Sequence, residues 1–330
     1  MEFTVQPYTA DQEAAWDRFV MQESGNGTFL QTRNFLNYHP AGRFEDTSLM
    51  VVNQKGAVMA VVPAAVQHIE GKKVFRSHPG STYGGPVLRN TCTSAEKVVG
   101  ICCALTAYLE ANYDRAELHI TPELFASQST ELLQYALYYC GFTQYTELST
   151  YVDVQGKTAE EIMAGFDRNK KRNVRKCLER GVTFSPITSD EEVAEFHRLL
   201  AINLSKYGVE PVHTVADLLD FKNNRLGDKV RFYGVKDGDQ MVAAGMLFYF
   251  EQNKILHAQN LSADLAITEY SPVALLYYSV LVEAAKTGCR ALSWGISTEE
   301  HGRKLNLGLI ESKEGYGSRH TLNLSYAKDF

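Results

Sequence analysis

The chain has 330 residues, 45% of them hydrophobic and 22% charged. That balance is globular rather than disordered, and the length accommodates two domains. The net charge of −6 excludes a general nucleic-acid coat, because phosphate binding needs a basic surface; a local basic patch remains compatible with it.

The N-terminus, Met1-Glu2-Phe3-Thr4-Val5, has no charged leader followed by an apolar core, so no signal peptide is expected. No apolar run approaches the roughly 20 residues that span a bilayer. The six cysteines, at 92, 102, 103, 140, 177 and 289, show no CxxC and no framework spacing. Adjacent Cys102 and Cys103 lie in an apolar helical stretch and read as buried reduced thiols, so a cytoplasmic location is expected. The nine histidines form no HExxH or HxxxH pair, so no metal site is expected.

The first half opens with a strand, Phe3–Tyr8, and a helix, Asp11–Ser24. A meander follows: Ser48–Val52, a turn at Asn53-Gln54-Lys55-Gly56, a strand over Ala57–His68, and a turn at Glu70-Gly71-Lys72-Lys73 into Val74-Phe75-Arg76. These turns carry Gly and Asn, which tolerate positive φ. The loop His78–Pro86 is dense in turn formers. Its glycines, Gly84 among them, let the backbone approach a ligand; a plain ordered loop is the other reading. A capping box, Thr93-x-x-Glu96, starts a helix that runs to about Ala111, before the strand Arg115–Ile120. A strand over Tyr145–Val154 closes this half.

The second half repeats the order. Val182–Ile187 is a strand, and the capping box Ser189-x-x-Glu192 starts a helix running to Tyr207 with Val193, Phe196, Leu200 and Leu204 on one face. A meander is formed by Val230–Val235, Met241–Phe250 and Ile255-Leu256-His257. Ser271-Pro272 then begins a helix that stops at Gly288 and leads into Arg290–Ile296. In each half a helix crosses between two strands, which implies a parallel pair beside antiparallel hairpins.

This is the element order of the GNAT acyltransferase fold. The expectation is an α/β protein with mixed (α+β) sheets, made of two tandem GNAT (acyl-CoA N-acyltransferase-like) domains over residues 1–152 and 153–330. In that fold the sheet splays between its fourth and fifth strands, and ligands bind at the gap.

Several segments resemble the FemAB family. Gly27-Thr28-Phe29-Leu30-Gln31-Thr32 with Phe35-Leu36 is similar to its F-Q-(S/T) segment, and Asn169–Lys176 followed by Gly181-Val182 to its R-x-x-I-R-K-A…G-V segment. Lys206-Tyr207-Gly208 resembles R-x-G. Trp294-Gly295-Ile296-Ser297 resembles D-F-G-G, and Glu311-Ser312-Lys313-Glu314-Gly315-Tyr316-Gly317 resembles F-K-x-x-F-G, with Ser312 in place of the aromatic. The long helical hairpin of some staphylococcal-type members is absent. The resemblance implies an acyl- or aminoacyl-transferase acting on an amine of a cell-envelope (peptidoglycan or polysaccharide) precursor. Transfer would be direct from an activated donor, acyl-CoA or aminoacyl-tRNA, without a tightly bound cofactor. Its partners would be a small-molecule or nucleotide-linked acceptor and tRNA, with no DNA. A duplicated fold that keeps its cleft and loses its chemistry, a non-catalytic binding module, is the alternative.

Arg168, Arg172 and Arg175 fall on one helical face at i, i+4 and i+7 and can grip donor or acceptor phosphates; a solvated face is the other reading. Free N–H groups at Ser271–Ala274 sit where GNAT enzymes bind the CoA pyrophosphate. The usual (R/Q)-x-x-G-x-(G/A) loop is missing there, and Asp264 and Glu269 are poor pyrophosphate neighbours. The literal match at Gln22–Gly27 lies in the wrong context. For catalysis, the family motif points to Lys313, which would stabilise the oxyanion or orient the donor; a surface lysine beside Glu311 and Glu314 is the alternative. His257, on the strand facing the expected gap, is a base or a structural histidine. Asn260, Trp294 and Ser297 would line the pocket, and Thr32, Tyr83, Lys206 and Tyr207 would touch the acceptor.

Overall fold

The computed structural model describes residues 2–330. The chain forms two compact units. One comprises Met1–Glu147, Glu300–Gly302 and Leu322–Phe330; the other comprises Leu148–Glu299 and Arg303–Thr321. The last residues thus count with the first unit, although they follow the second along the chain.

The first unit holds β1 (Phe3–Pro7), α1 (Glu13–Arg18), α2 (Arg33–Leu36), β2 (Glu45–Asp46), β3 (Leu49–Asn53), β4 (Val58–Val62), β5 (Ala65–Ile69), β6 (Lys72–Ser77), β7 (Val87–Leu88), α3 (Ala95–Asn112), β8 (Arg115–His119) and α4 (Glu131–Tyr139). The single helix expected over Asp11–Ser24 is interrupted. A 3₁₀ turn precedes α1, and a π turn over Phe19–Glu23 follows it. The Ser24 hydroxyl donates to Val20 O at 2.6 Å and takes the carbonyl that a continuing helix would use. The strand expected over Ala57–His68 is also two strands, because Pro63 cannot donate to a ladder. β4 pairs with β3 and β7, whereas β5 pairs with β2 and β6. The α3 N-cap is Ser94, so the expected Thr93 box does not form. β6 and β8 are parallel, as the crossover requires, and β8 pairs antiparallel with the C-terminal strand Arg319–Asp329. Val98, Ile101, Leu105 and Leu109 of α3 pack on Phe75, Leu118 and Leu137.

The second unit holds β9 (Thr143–Asp153, its last residues), α5 (Ala159–Ala164), α6 (Arg168–Glu179), β10 (Thr183–Pro186), α7 (Asp190–Ser205), α8 (Val215–Asp220), β11 (Val230–Asp237), β12 (Gln240–Phe250), β13 (Ile255–Ala263), α9 (Pro272–Lys286), β14 (Ala291–Ile296) and α10 (Leu307–Glu314). Its strand order is β10-β11-β12-β13-β14-β9. The Ser189 hydroxyl caps α7 by accepting from Glu192 N at 3.2 Å. The functionally decisive feature is the β13–β14 pair. It is parallel and joins only Ile255–Ala291, Leu256–Leu292 and His257–Ser293. Beyond His257 the strands part. β14 continues against β9 with a bulge between Ser293 and Gly295, while β13 runs on against β12 to Ala263. A sheet that splits between two parallel strands leaves backbone groups and side chains facing a gap that a ligand can enter.

Candidate active site at the strand split

His257 and Ser293 are the last paired residues before the split, with His257 Nδ1 at 3.1 Å from Ser293 Oγ. Gly295 N donates to the same Ser293 oxygen at 3.3 Å. Ser293 thus ties the end of β14 to the His257 ring, with the direction of the His257–Ser293 bond set by the imidazole tautomer. Burial, with Lys313 nearby, pushes the His257 pKa down to about 4. An imidazole held neutral in this way is a weak base.

Lys313 lies in the last turn of α10. That helix is anchored beside the split: Asn306 caps it by accepting from Leu309 N at 3.1 Å, and Asn306 N donates to Ser297 O at 3.0 Å. The lysine points back to the end of β14. It is 4% exposed and donates to Gly295 O at 3.0 Å, Ile296 O at 2.6 Å and Ser297 Oγ at 2.9 Å. Three acceptors match the three protons of an ammonium, and burial pushes its pKa down to about 8. It is therefore not a surface lysine paired with Glu311 and Glu314. It is a desolvated cation that fixes the strand exit, and Ser297, which accepts from it, keeps its own hydroxyl proton to donate.

Aromatic rings wall the same region. Tyr277 of α9 lies 4.5 Å from Trp294 and 4.6 Å from Tyr316, centroid to centroid, and Phe166 meets Tyr316 edge-on at 5.0 Å. Trp294 is buried, and its indole Nε1 has no hydrogen-bond partner among the described residues. Burial pushes the Tyr277 pKa up to about 12. Ser312, where the resemblance calls for an aromatic, accepts from Lys170 Nζ at 3.0 Å. The ammonium of Lys170 stands 4.6 Å over the Tyr316 ring, and burial lowers its pKa. The small serine makes room for that cation. Gly315 has an equally local reason: a Cβ there would sit 2.5 Å from Asp167 Oδ2, and Asp167 N donates to Gly315 O at 2.9 Å.

The structure thus brings together His257, Trp294, Ser297 and Lys313, with Asn260 three residues beyond His257 on β13. Ser293, Tyr277, Lys170 and Tyr316 were not among the predicted site residues. Ser293 reaches His257 only through the parallel register, which no local pattern encodes.

Other predicted residues lie elsewhere. Arg168, Arg172 and Arg175 lie together on an exposed face of α6 with Asn169, Lys171, Lys176 and Glu179. Lys206 caps the end of α7 and stands over Tyr207, which is 71% exposed. The expected cradle of free N–H groups at Ser271–Ala274 is not open. Pro272 has no N–H, and Ala274 N donates to Ser271 O at 2.9 Å. Buried Cys177 of α6 lies over this terminus, its sulfur 3.2 Å from Ser271 O, with backbone hydrogen bonds at Ser271 and Leu275 opposing the burial that raises its pKa. Lys176 Nζ donates to Glu269 O and holds the preceding loop.

In the first unit, Thr32, Tyr83 and Gly84 are buried and committed to packing rather than presented to a ligand. Thr32 caps α2, accepting from Phe35 N and donating to Phe29 O at 2.7 Å. The Tyr83 hydroxyl is 3.2 Å from Thr28 Oγ1, and its ring stacks on Phe125. A Cβ on Gly84 would meet the backbone of Ser77 and His78 at 2.5 and 2.6 Å, so its close approach is to the protein's own chain.

Residues 164–303 match the acetyltransferase (GNAT) domain family. The matched segment covers less than half of the chain and, apart from residues 300–302, falls within the second unit. The match stops short of Lys313, and no curated protein matches the chain. Among solved structures, FemX superposes with a TM-score of 0.70 at 12% identity, over 100% of this chain and 98% of FemX. The C-terminal domain of an Agrobacterium fabrum protein named as a lysylphosphatidylglycerol synthetase gives 0.59 at 11%, over 97% and 93%. A tandem GNAT protein from the clavulanic acid biosynthesis pathway gives 0.56 at 11%, over 99% and 98%. The fold is that of FemX and of tandem GNAT proteins, as the duplicated element order implies. Among the described residues no helix is long and apolar enough to cross a membrane.

Proposed function

We propose that the GNAT domain moves an aminoacyl group from an activated ester donor, aminoacyl-tRNA, onto an amine of a peptidoglycan or polysaccharide precursor in the cytoplasm. The observation that carries this reading is Lys313, a buried ammonium beside a split sheet. Attack of the acceptor nitrogen on the ester carbonyl makes an oxyanion. Collapse of that intermediate forms the amide and expels the donor hydroxyl, which takes up the proton lost from the nitrogen. The cation of Lys313 and the hydroxyl of Ser297 that it polarises supply positive potential where this charge develops. Neutral His257 is a second polar group beside the split, and Trp294 and Tyr277 form an apolar wall that excludes water.

The choice of donor rests on two features. Cys177 and Pro272 leave little of the α9 N-terminus for a pyrophosphate, which weighs against acyl-CoA. Five cations along α6, Arg168, Lys171, Arg172, Arg175 and Lys176, offer a track for a polyanion. The names of the structural neighbours FemX and lysylphosphatidylglycerol synthetase fit aminoacyl chemistry at the cell envelope. Exposed Lys206 and Tyr207, with Asn260, are proposed to meet the acceptor.

The test uses the full chain with tRNA charged with radiolabelled amino acids and a nucleotide-linked muropeptide acceptor. Transfer that is lost in Lys313→Met and partly kept in Lys313→Arg supports the proposal. Turnover unchanged in Lys313→Met overturns the assigned role. Turnover with acetyl-CoA in place of charged tRNA overturns the donor, and transfer with neither donor type assigns the protein to the binding modules.

A further inference from the structure

Four of the six cysteines, Cys92, Cys102, Cys177 and Cys289, are buried, and burial raises the pKa of each. The other two are more accessible. Cys102 is buried as its apolar helical stretch implies, but Cys103, expected to be buried with it, is on the exposed side of α3, and Cys140 is half-buried at the C-cap of α4. Cys103 and Cys140 are 37 residues apart in sequence, yet their sulfur atoms lie 3.5 Å from each other. Only a modest approach separates that contact from a bond of about 2 Å. The helices that carry them pack together in the first unit, so the pair is held by tertiary structure. The backbone around Cys140 is also fixed: its N–H donates to Ala136 O at 3.0 Å, and Lys328 Nζ donates to its carbonyl at 2.8 Å.

We propose that Cys103 and Cys140 are a thiol-oxidation site that closes to a disulfide under a small disulfide oxidant, oxidised glutathione, and staples α3 to the end of α4. The chemistry balances as two exchanges. The exposed Cys103 thiolate attacks one sulfur of the oxidant and expels a first glutathione thiolate, leaving a mixed disulfide. Cys140, after losing its proton, attacks Cys103 Sγ and expels the second. Two protein thiols are oxidised to one disulfide, one glutathione disulfide is reduced to two thiols, and the two protons end on those thiols. The Cys140 pKa stands at about 11, raised by burial and then by Cys103, while Thr106 and Lys328 oppose the rise. Conversion of Cys103 to the mixed disulfide removes its share of that rise and favours the second exchange. The buried thiols lack this route because the oxidant cannot reach them.

The experiment exposes the native full-length protein to oxidised glutathione, blocks remaining thiols, and reads intact mass and a peptide map. The expected result is loss of two hydrogens, a cross-linked peptide joining Cys103 to Cys140, and four thiols still titratable after unfolding. The Cys140→Ser variant should stop at a single glutathione adduct on Cys103, and Cys103→Ser should take up none. The oxidised wild type should melt at a higher temperature than the reduced form, a shift absent from both variants. A wild-type protein that stops at a persistent adduct on Cys103, that keeps six free thiols, or that links Cys102 instead would overturn the proposal.

Discussion

Replacing Lys313 with methionine tests whether its ammonium is truly desolvated, independently of any substrate. An ordinary lysine titrates at 10.5, whereas burial sets Lys313 at about 8. The folded-state pKa is the lower one, so between pH 8 and 10.5 the unfolded chain binds the proton and the folded chain does not. Stability then rises with pH across that window by up to about 1.4 kcal/mol per unit, or roughly 3 kcal/mol in total (2.5 units × 1.36). Below pH 8 both states are protonated and the contribution is flat. Lys313 is 4% exposed, so solvent screening offers little discount. Methionine removes this slope. It also leaves Gly295 O, Ile296 O and Ser297 Oγ without their donor, a roughly constant cost of about 1 to 3 kcal/mol per group that stays unpaired. Urea unfolding of wild type and variant from pH 7 to 10.5 gives the difference directly. Above pH 8 the wild type should gain stability relative to the variant, so the difference between the two curves changes steadily with pH in its favour. Parallel curves would refute the desolvation argument and return Lys313 to the surface.

The remaining predictions concern other parts of the chain. His78 is buried and accepts from Gly80 N at 3.0 Å, and burial pushes its pKa down to about 4. The unfolded chain therefore binds the extra proton as pH falls from 6.5 to 4, costing about 3 kcal/mol over that range; His78→Asn should flatten this acid limb in chemical denaturation. Neutralising Arg168, Arg172 and Arg175 together should weaken tRNA binding and reduce the slope of log K against log salt by about 2 to 3, from the released counterions; an unchanged slope would place the nucleic acid elsewhere. Gly84→Ala should cost about 2 to 3 kcal/mol by forcing a methyl group onto the Ser77–His78 backbone, measurable as a lower unfolding midpoint.

Much of the framework was legible because local chemistry writes it. The Ser189 cap, Pro272 at the start of α9, and the hairpins at 230–257 formed where the pattern put them. The crossover helices implied the parallel pairs β6–β8 and β13–β14. The errors have local causes too: Pro63 divides a strand that hydrophobicity alone runs together, and Ser24 diverts a helix into a π turn. Of the residues beside the strand split, the sequence singled out Lys313 through its motif and His257 through its strand. The burial of Thr32, Tyr83 and Gly84 was not legible, because a glycine-rich loop looks the same whether it approaches a ligand or the protein's own backbone.

By itself the sequence determined the order of elements and the repetition of a GNAT-type pattern, since periodicity, caps and turn residues act over a few positions. Only the tertiary structure decided what Lys313, His257 and Cys177 do. Lys313 becomes a desolvated cation because α10 buries it against three acceptors at the end of β14; His257 is held neutral because burial, with Lys313 nearby, disfavours its charge. Cys177 covers the α9 terminus because α6 packs there. A side chain's charge and access depend on what long-range folding places around it, and that information is spread over residues far apart in the chain.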